Sequence, residues 1–214
     1  MRDFFWCKHL IIPTAKGNRR TFEPNTPNTL KRLLAKIYLR LIGWKVNVPP
    51  PEKLKGTVMV AAPHTTNYDF PITMACFWYM QVDVKYFIKD DYTKGLFGWF
   101  FKWTGAMGVD RSKVRNSLTD VAIEHLKADK SLCILVPAEG SRKRVEKWRT
   151  GFYRIAKEAQ VPVALGFLDY AKKEGGVLEV FSLSGDFEKD MYRIQETYRP
   201  VKGKYPENYN PEIF

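Results

Sequence analysis

From residue 57 onward, short apolar runs alternate with helix-length stretches, and no other feature of the chain restricts its fold as strongly. Residues 57–62 (TVMVAA), 84–88, 107–109, 132–136 (LCILV), 163–168 and 178–183 read as strands. Residues 69–80, 95–103, 112–128, 150–159 and 186–198 read as helices. Strands alternating with helices argue for an α/β domain, a largely parallel central sheet flanked by helices. In such sheets, function gathers where strands run out into loops. Three strand ends carry chemistry-bearing residues: Pro63-His64, residues 108–111, and residues 137–144.

The chain ahead of this domain reads differently. Pro13, Gly17, Pro24 and Pro27 punctuate an irregular arm over residues 1–28. Residues 29–45 then place Leu30, Leu33, Leu34, Ile37, Tyr38, Leu41 and Ile42 at helical spacing. Lys31, Arg32, Lys36 and Arg40 occupy the other face, and Trp44 closes the segment. A basic, aromatic-tipped amphipathic helix fits a membrane interface. It also fits a surface helix packed on its own domain. Pro49-Pro50-Pro51 marks a short linker. The chain thus divides into residues 1–56, arm plus membrane-surface helix, and residues 57–214.

Charge sharpens this division. The 214 residues carry a formal net charge of +12, which calls for an acidic neighbour such as phosphate, nucleic acid or an anionic bilayer. Residues 1–56 hold 12 Lys/Arg against 3 Asp/Glu, a net of +9, while residues 57–214 hold 23 against 20. The 14% aromatic content is high for a purely nucleic-acid-facing basic protein. Aromatic-basic interleaving on a sheet face, or a recognition helix, is missing, so no nucleic-acid partner is expected. Cys7, Cys76 and Cys133 share no ligand-like spacing and suit neither a disulfide framework nor a zinc site. A reduced, cytosolic setting fits, with Cys76 and Cys133 as small buried hydrophobes. No run reaches the ~18–20 apolar residues of a membrane span. Leu10-Ile11-Ile12 is too short for a signal-peptide core. A chain of this kind that meets a membrane is expected to lie on it.

The first strand end reads Ala62-Pro63-His64-Thr65-Thr66-Asn67-Tyr68-Asp69. A histidine at a tight turn and a carboxylate five residues on can face each other. The acid then accepts from one imidazole nitrogen and leaves the other as a general base. The spacing also fits a packing histidine and an N-cap aspartate. The second, Gly105 to Arg111, places an Arg where a strand ends, to hold a phosphate or to pair with a neighbouring acid. The third, Glu139-Gly140-Ser141-Arg142, follows a buried strand. It offers a free turn, a hydroxyl and a guanidinium fork for phosphate. A solvated basic loop would look the same, since Lys143, Arg144, Lys147, Arg149, Arg154 and Lys157 follow.

In this order the three blocks resemble the glycerolipid acyltransferases, which include glycerol-3-phosphate and lysophosphatidic-acid acyltransferases. His64 and Asp69 match that family's His-x4-Asp block, and Gly105 with Arg111 its second block. Glu139, Gly140, Ser141 and Arg142 match its Glu-Gly-Thr-Arg block, and Val161-Pro162-Val163 its Val-Pro block. The chain from about residue 57 to 206 is similar to a compact bacterial subgroup with Ala-Pro-His-Thr at the first block. Pro63 stands where better-known members have Asn, Ala138 where Pro is usual, and Ser141 and Lys143 replace Thr and Ser. These departures bear on the acceptor, because the third block lines its pocket in the family.

The resemblance implies acyl transfer from acyl-CoA or acyl carrier protein to a hydroxyl, with neither cofactor nor metal. The implied acceptor is a lysoglycerolipid, foremost 1-acylglycerol-3-phosphate. His64 would be the general base and Asp69 its orienting partner. Arg111, Glu139, Gly140, Ser141 and Arg142 would contact the acceptor. The oxyanion donors would be backbone N–H groups near the first or third block. The apolar run 96–103 is expected at the acyl groove or the bilayer. The setting implied is phospholipid biosynthesis at the cytoplasmic face of a bacterial membrane, held peripherally. Two rivals are expected to share the fold: an inactive lipid-binding protein, and a hydrolase in which His64 activates water.

Overall fold

The computed structural model describes residues 29–109 and 117–214. The expected arm, Arg111 and the first part of the expected helix 112–128 lie outside them. Seven strands build one sheet: β1 (Lys45–Asn47), β2 (Thr57–Ala61), β3 (Val84–Lys89), β4 (Ala106–Val109), β5 (Cys133–Pro137), β6 (Val163–Asp169) and β7 (Glu174–Phe181). Their order is β1-β7-β6-β2-β5-β3-β4. The five strands from β6 to β4 run parallel. β7 returns antiparallel to β6, and β1 lies parallel to β7 at the edge. The mostly parallel α/β architecture expected from the sequence is the one observed.

Seven α-helices accompany the sheet among the described residues: α1 (Thr29–Leu41), α2 (Asp69–Met80), α3 (Asp90–Lys94), α4 (Gly98–Trp103), α5 (Leu118–Ala128), α6 (Gly151–Ala159) and α7 (Phe187–Tyr198). The central strands are covered on both faces and sort their side chains with period two. Val58 and Val60 of β2, with Val163 and Leu165 of β6, join a core with α5, α6 and α7. Met59 of β2 and Ala164 of β6 point the other way, into a core with α1 and α2. α2 is apolar nearly all round because it is wedged between the sheet and α1; Ile72, Met74, Ala75, Cys76, Phe77 and Met80 are all buried.

Several boundaries differ from the sequence expectation for local reasons. The helix expected over 29–45 stops at Leu41, because Gly43 takes φ +72° and turns the chain into β1. The helix expected over 112–128 starts at Leu118, where Ser117 and Asp120 form a reciprocal capping box. The strand expected over 178–183 spans Glu174–Phe181 instead. Its start is hidden by Gly175-Gly176, which reads as a turn. Gly176 is needed there: its φ is +139°, and a Cβ would sit 2.1 Å from the Asn47 carbonyl oxygen of β1.

α1 presents three sides. Ala35 and Leu39 pack inward, and the small alanine lets the helix approach the domain closely. Arg32, Lys36 and Arg40 form a cationic flank at 100° per residue. The leucine side predicted from the periodicity faces outward: Leu30 is 61% exposed, Leu33 53%, Ile37 51% and Leu41 80%. Lys31 joins α1 to α4. Its ammonium donates to the Trp103 carbonyl oxygen at 2.8 Å and stands 4.8 Å from the centre of the Trp103 ring. Leu96, Phe97 and Trp99, around the α3–α4 turn, are exposed as well. Apolar side chains of α1 and of the α3–α4 turn therefore both face outward. No described helix is long and apolar enough to cross a membrane.

Candidate active site

The sheet topology decides which loops meet. β2 lies between β5 and β6, and all three run the same way, so their carboxyl ends open side by side. His64 follows β2, Glu139 follows β5, and Tyr170 follows β6.

The turn from β2 into α2 brings His64 and Asp69 together. His64 Nδ1 lies 2.9 Å from Asp69 Oδ2. The same oxygen accepts the backbone N–H groups of Thr65 at 3.0 Å and Thr66 at 3.1 Å. Oδ1 accepts the Tyr170 hydroxyl at 2.7 Å. Asp69 is 4% exposed, yet both of its oxygens accept hydrogen bonds, which offsets the cost of burying a carboxylate. An ionised carboxylate only accepts, so Nδ1 carries the imidazole proton and Nε2 the lone pair. Nε2 has no hydrogen-bond partner among the described residues, and the His64 side chain is 30% exposed. The arrangement is an oriented imidazole with its basic nitrogen open to solvent.

Glu139 faces inward. It is 3% exposed, and its Oε2 accepts the His64 backbone N–H at 2.6 Å. Gly140 makes that reversal with φ +63°, and a Cβ there would sit 2.8 Å from Arg149 Nε. Burial pushes the Glu139 carboxyl up to about 7, against the opposing pull of the His64 N–H. The folded state thus binds more protons than the unfolded chain between about pH 4.5 and 7, and stability falls as pH rises through that window. At about 1.4 kcal/mol per pH unit the cost above pH 7 is on the order of 3 kcal/mol. Glu139→Gln keeps an acceptor oxygen for His64 and cannot ionise. In urea unfolding, the variant is expected to gain stability relative to wild type between pH 4.5 and 8. Parallel pH profiles would contradict the buried charge.

The remaining third-block residues lie outside. Gly140 and Arg142 are exposed and Ser141 is half-buried. One Arg142 guanidinium nitrogen donates to the Asn67 side-chain oxygen, so the first and third blocks touch. Ser141 Oγ accepts the Lys143 N–H at 3.0 Å. Other cations of this stretch are structural. Arg144 donates to the Tyr209 carbonyl oxygen at 2.6 Å and to Asn210, tying the loop to the C-terminal segment, and Arg154 pairs with Asp120 and Glu158. The sequence pattern singles out neither Asn67 nor Tyr170. The signal for Tyr170 was its place just past the end of a buried strand.

On the other side of the dyad an apolar cavity of about 40 Å³ lies between the sheet and α2. Met59, Phe77, Met80, Leu135 and Phe167 line it, and His64 and Asp69 form its polar end. Cys76 lines it too, with a thiol that burial pushes up to about 12.

The sequence pattern of the family described as Acyltransferase matches residues 45–164, which contain all four blocks. The chain belongs to this family. Its fold is also that of a solved acyltransferase, the crystal structure of the 1-acyl-sn-glycerophosphate (LPA) acyltransferase PlsC from Thermotoga maritima. That match has a TM-score of 0.54 at 15% identity and covers 81% of this chain and 76% of the other. No curated protein sequence matches.

Proposed function

We propose that this acyltransferase moves a fatty acyl group from an acyl thioester to the hydroxyl of a lysoglycerolipid, foremost 1-acylglycerol-3-phosphate, at an anionic membrane surface. The observation that carries the reading is the Nδ1–Asp69 contact of His64, which leaves Nε2 without a protein partner as a base, in a turn whose Asn67 holds the Arg142 guanidinium. Nε2 takes the acceptor hydroxyl proton as that oxygen attacks the thioester carbonyl. Asp69 stabilises the imidazolium that forms. The tetrahedral intermediate collapses with cleavage of the C–S bond, and the imidazolium returns the proton to the departing sulfur. Ester and free thiol are the products. Positioned acid–base catalysis of this kind contributes about 10²–10⁴-fold.

The N–H groups of His64, Thr65, Thr66 and Gly140 already serve protein acceptors. Oxyanion donors are proposed to come from the third-block turn beyond Gly140. Arg142, Ser141, Gly140 and Arg111 are proposed to meet the acceptor head group, with Glu139 beneath them holding the His64 backbone. The first carbons of the acyl chain are proposed to enter the apolar cavity, whose Met59 and Met80 side chains adapt readily. The donor is acyl-CoA or acyl carrier protein. The outward surface of α1 and the α3–α4 turn is proposed to lie in the bilayer interface, on its cytoplasmic face in a bacterial cell.

Arg142→Ala tests the acceptor. A charge-assisted hydrogen bond contributes about 1.5–3 kcal/mol, so KM for lysophosphatidate is expected to rise about tenfold or more with kcat little changed. An unchanged KM would argue for an acceptor without phosphate. Thioester consumption with and without lysophosphatidate tests the reaction itself. Acceptor-dependent consumption is expected, and release of free fatty acid regardless of acceptor would contradict it.

A further inference from the structure

We propose that Tyr170 is a positioning residue of the His64–Asp69 pair: its hydroxyl locks the Asp69 carboxylate and sets how strongly that carboxylate pulls on the imidazole. The inference rests on the reading of His64 as general base.

The hydrogen bonds of Asp69 divide unequally. Oδ2 serves His64 Nδ1 and two backbone N–H groups, whereas among the described residues Oδ1 has Tyr170 alone, at 2.7 Å. Asp69 is buried, so solvent does not substitute for that donor. The phenol ring is itself held in place. It stands edge-on to Trp44 with centroids 4.9 Å apart, and its backbone N–H donates to the Lys202 carbonyl oxygen at 2.9 Å. Tyr170 thereby joins the turn between α1 and β1 and the C-terminal segment to the carboxylate. Glu139 from the turn after β5 faces the pair, and Tyr38 from α1 and Tyr205 from the C-terminal segment face the Tyr170 phenol. Burial first, then the hydrogen bond to Asp69 and its charge, push the Tyr170 phenol well up from its ordinary value. It remains a donor across the neutral pH range.

Tyr170→Phe removes that donor and leaves the ring contacts. Oδ1 is then buried with no donor, and the negative charge concentrates on Oδ2. The imidazolium gains stability, so the His64 pKa rises by about half to one unit. The carboxylate also loses its rotational lock, so fewer imidazoles stand aligned, and kcat is expected to fall about tenfold. KM for either substrate is expected to stay within about twofold.

The test uses the full chain in two measurements. The His64 imidazole is titrated by NMR in wild type and Y170F, a readout independent of turnover. Steady-state kinetics then use palmitoyl-CoA and lysophosphatidate. A raised His64 pKa with lowered kcat supports the proposal. An unchanged His64 pKa overturns it, whether kcat holds or falls with thermal stability, since a merely structural tyrosine would leave the titration unmoved. Wild type that transfers nothing to lysophosphatidate would remove the transferase reading alone, because the titration still decides the role of Tyr170.

Discussion

His64→Ala is expected to lower kcat by about 10²–10⁴-fold and to leave the protein folded. The turn around His64 does not depend on its side chain. Thr65 and Thr66 donate their N–H groups to Asp69, Tyr170 caps the other carboxylate oxygen, and Glu139 holds the His64 backbone rather than its ring. Circular dichroism and thermal unfolding should therefore overlay wild type, while turnover of a thioester and lysophosphatidate collapses. Substrate KM values should move little, because the lost interaction belongs to proton transfer and not to ground-state binding. A folded H64A protein with full transferase activity would remove His64 from the mechanism.

The second large effect is expected at the membrane. Replacing Leu33, Ile37 and Leu41 together by glutamate should abolish binding to phosphatidylglycerol-containing vesicles. Burying one such side chain contributes about 1.5–3 kcal/mol, so three lost together reduce partitioning by at least about 10³-fold. The positions are exposed, so the fold has no stake in them. Wild-type binding should also weaken as salt rises, because residues 1–56 carry a net +9 that screening blunts. Vesicle flotation in a salt series measures both. A triple variant that floats as well as wild type would assign this surface to something other than lipid.

What the sequence revealed and what it hid follow from the range of the interactions involved. The fold was readable because strand and helix periods are local, and β2 and β6 sit where unbroken apolar runs must sit, buried on both faces. His64 and Asp69 were readable because five residues and one turn connect them. The face of α1 was not. Leu30, Leu33, Leu34 and Ile37 mark an apolar side, but the periodicity does not say whether protein or another phase covers it. The domain chose Ala35 and Leu39. The inward turn of Glu139 depends on a positive φ at Gly140 and on Arg149 packed against that glycine, neither visible in Glu-Gly-Ser-Arg. Tyr170 lies 101 residues from Asp69 and reaches it only because β6 pairs with β2, a fact of topology. Likewise the basic run after Glu139 looked uniform, although Arg144 and Arg154 serve structure and Arg142 reaches Asn67.

The most direct test of the central claim is the identity of the product. Labelled acyl thioester is incubated with a membrane lipid extract and either wild type or His64→Ala, and the labelled lipids are identified by mass. Transfer to a lysoglycerolipid hydroxyl predicts a labelled diacyl lipid, phosphatidate foremost, with wild type and a near-blank with the variant. Labelled free fatty acid as the sole wild-type product, or equal products from both proteins, would contradict the account.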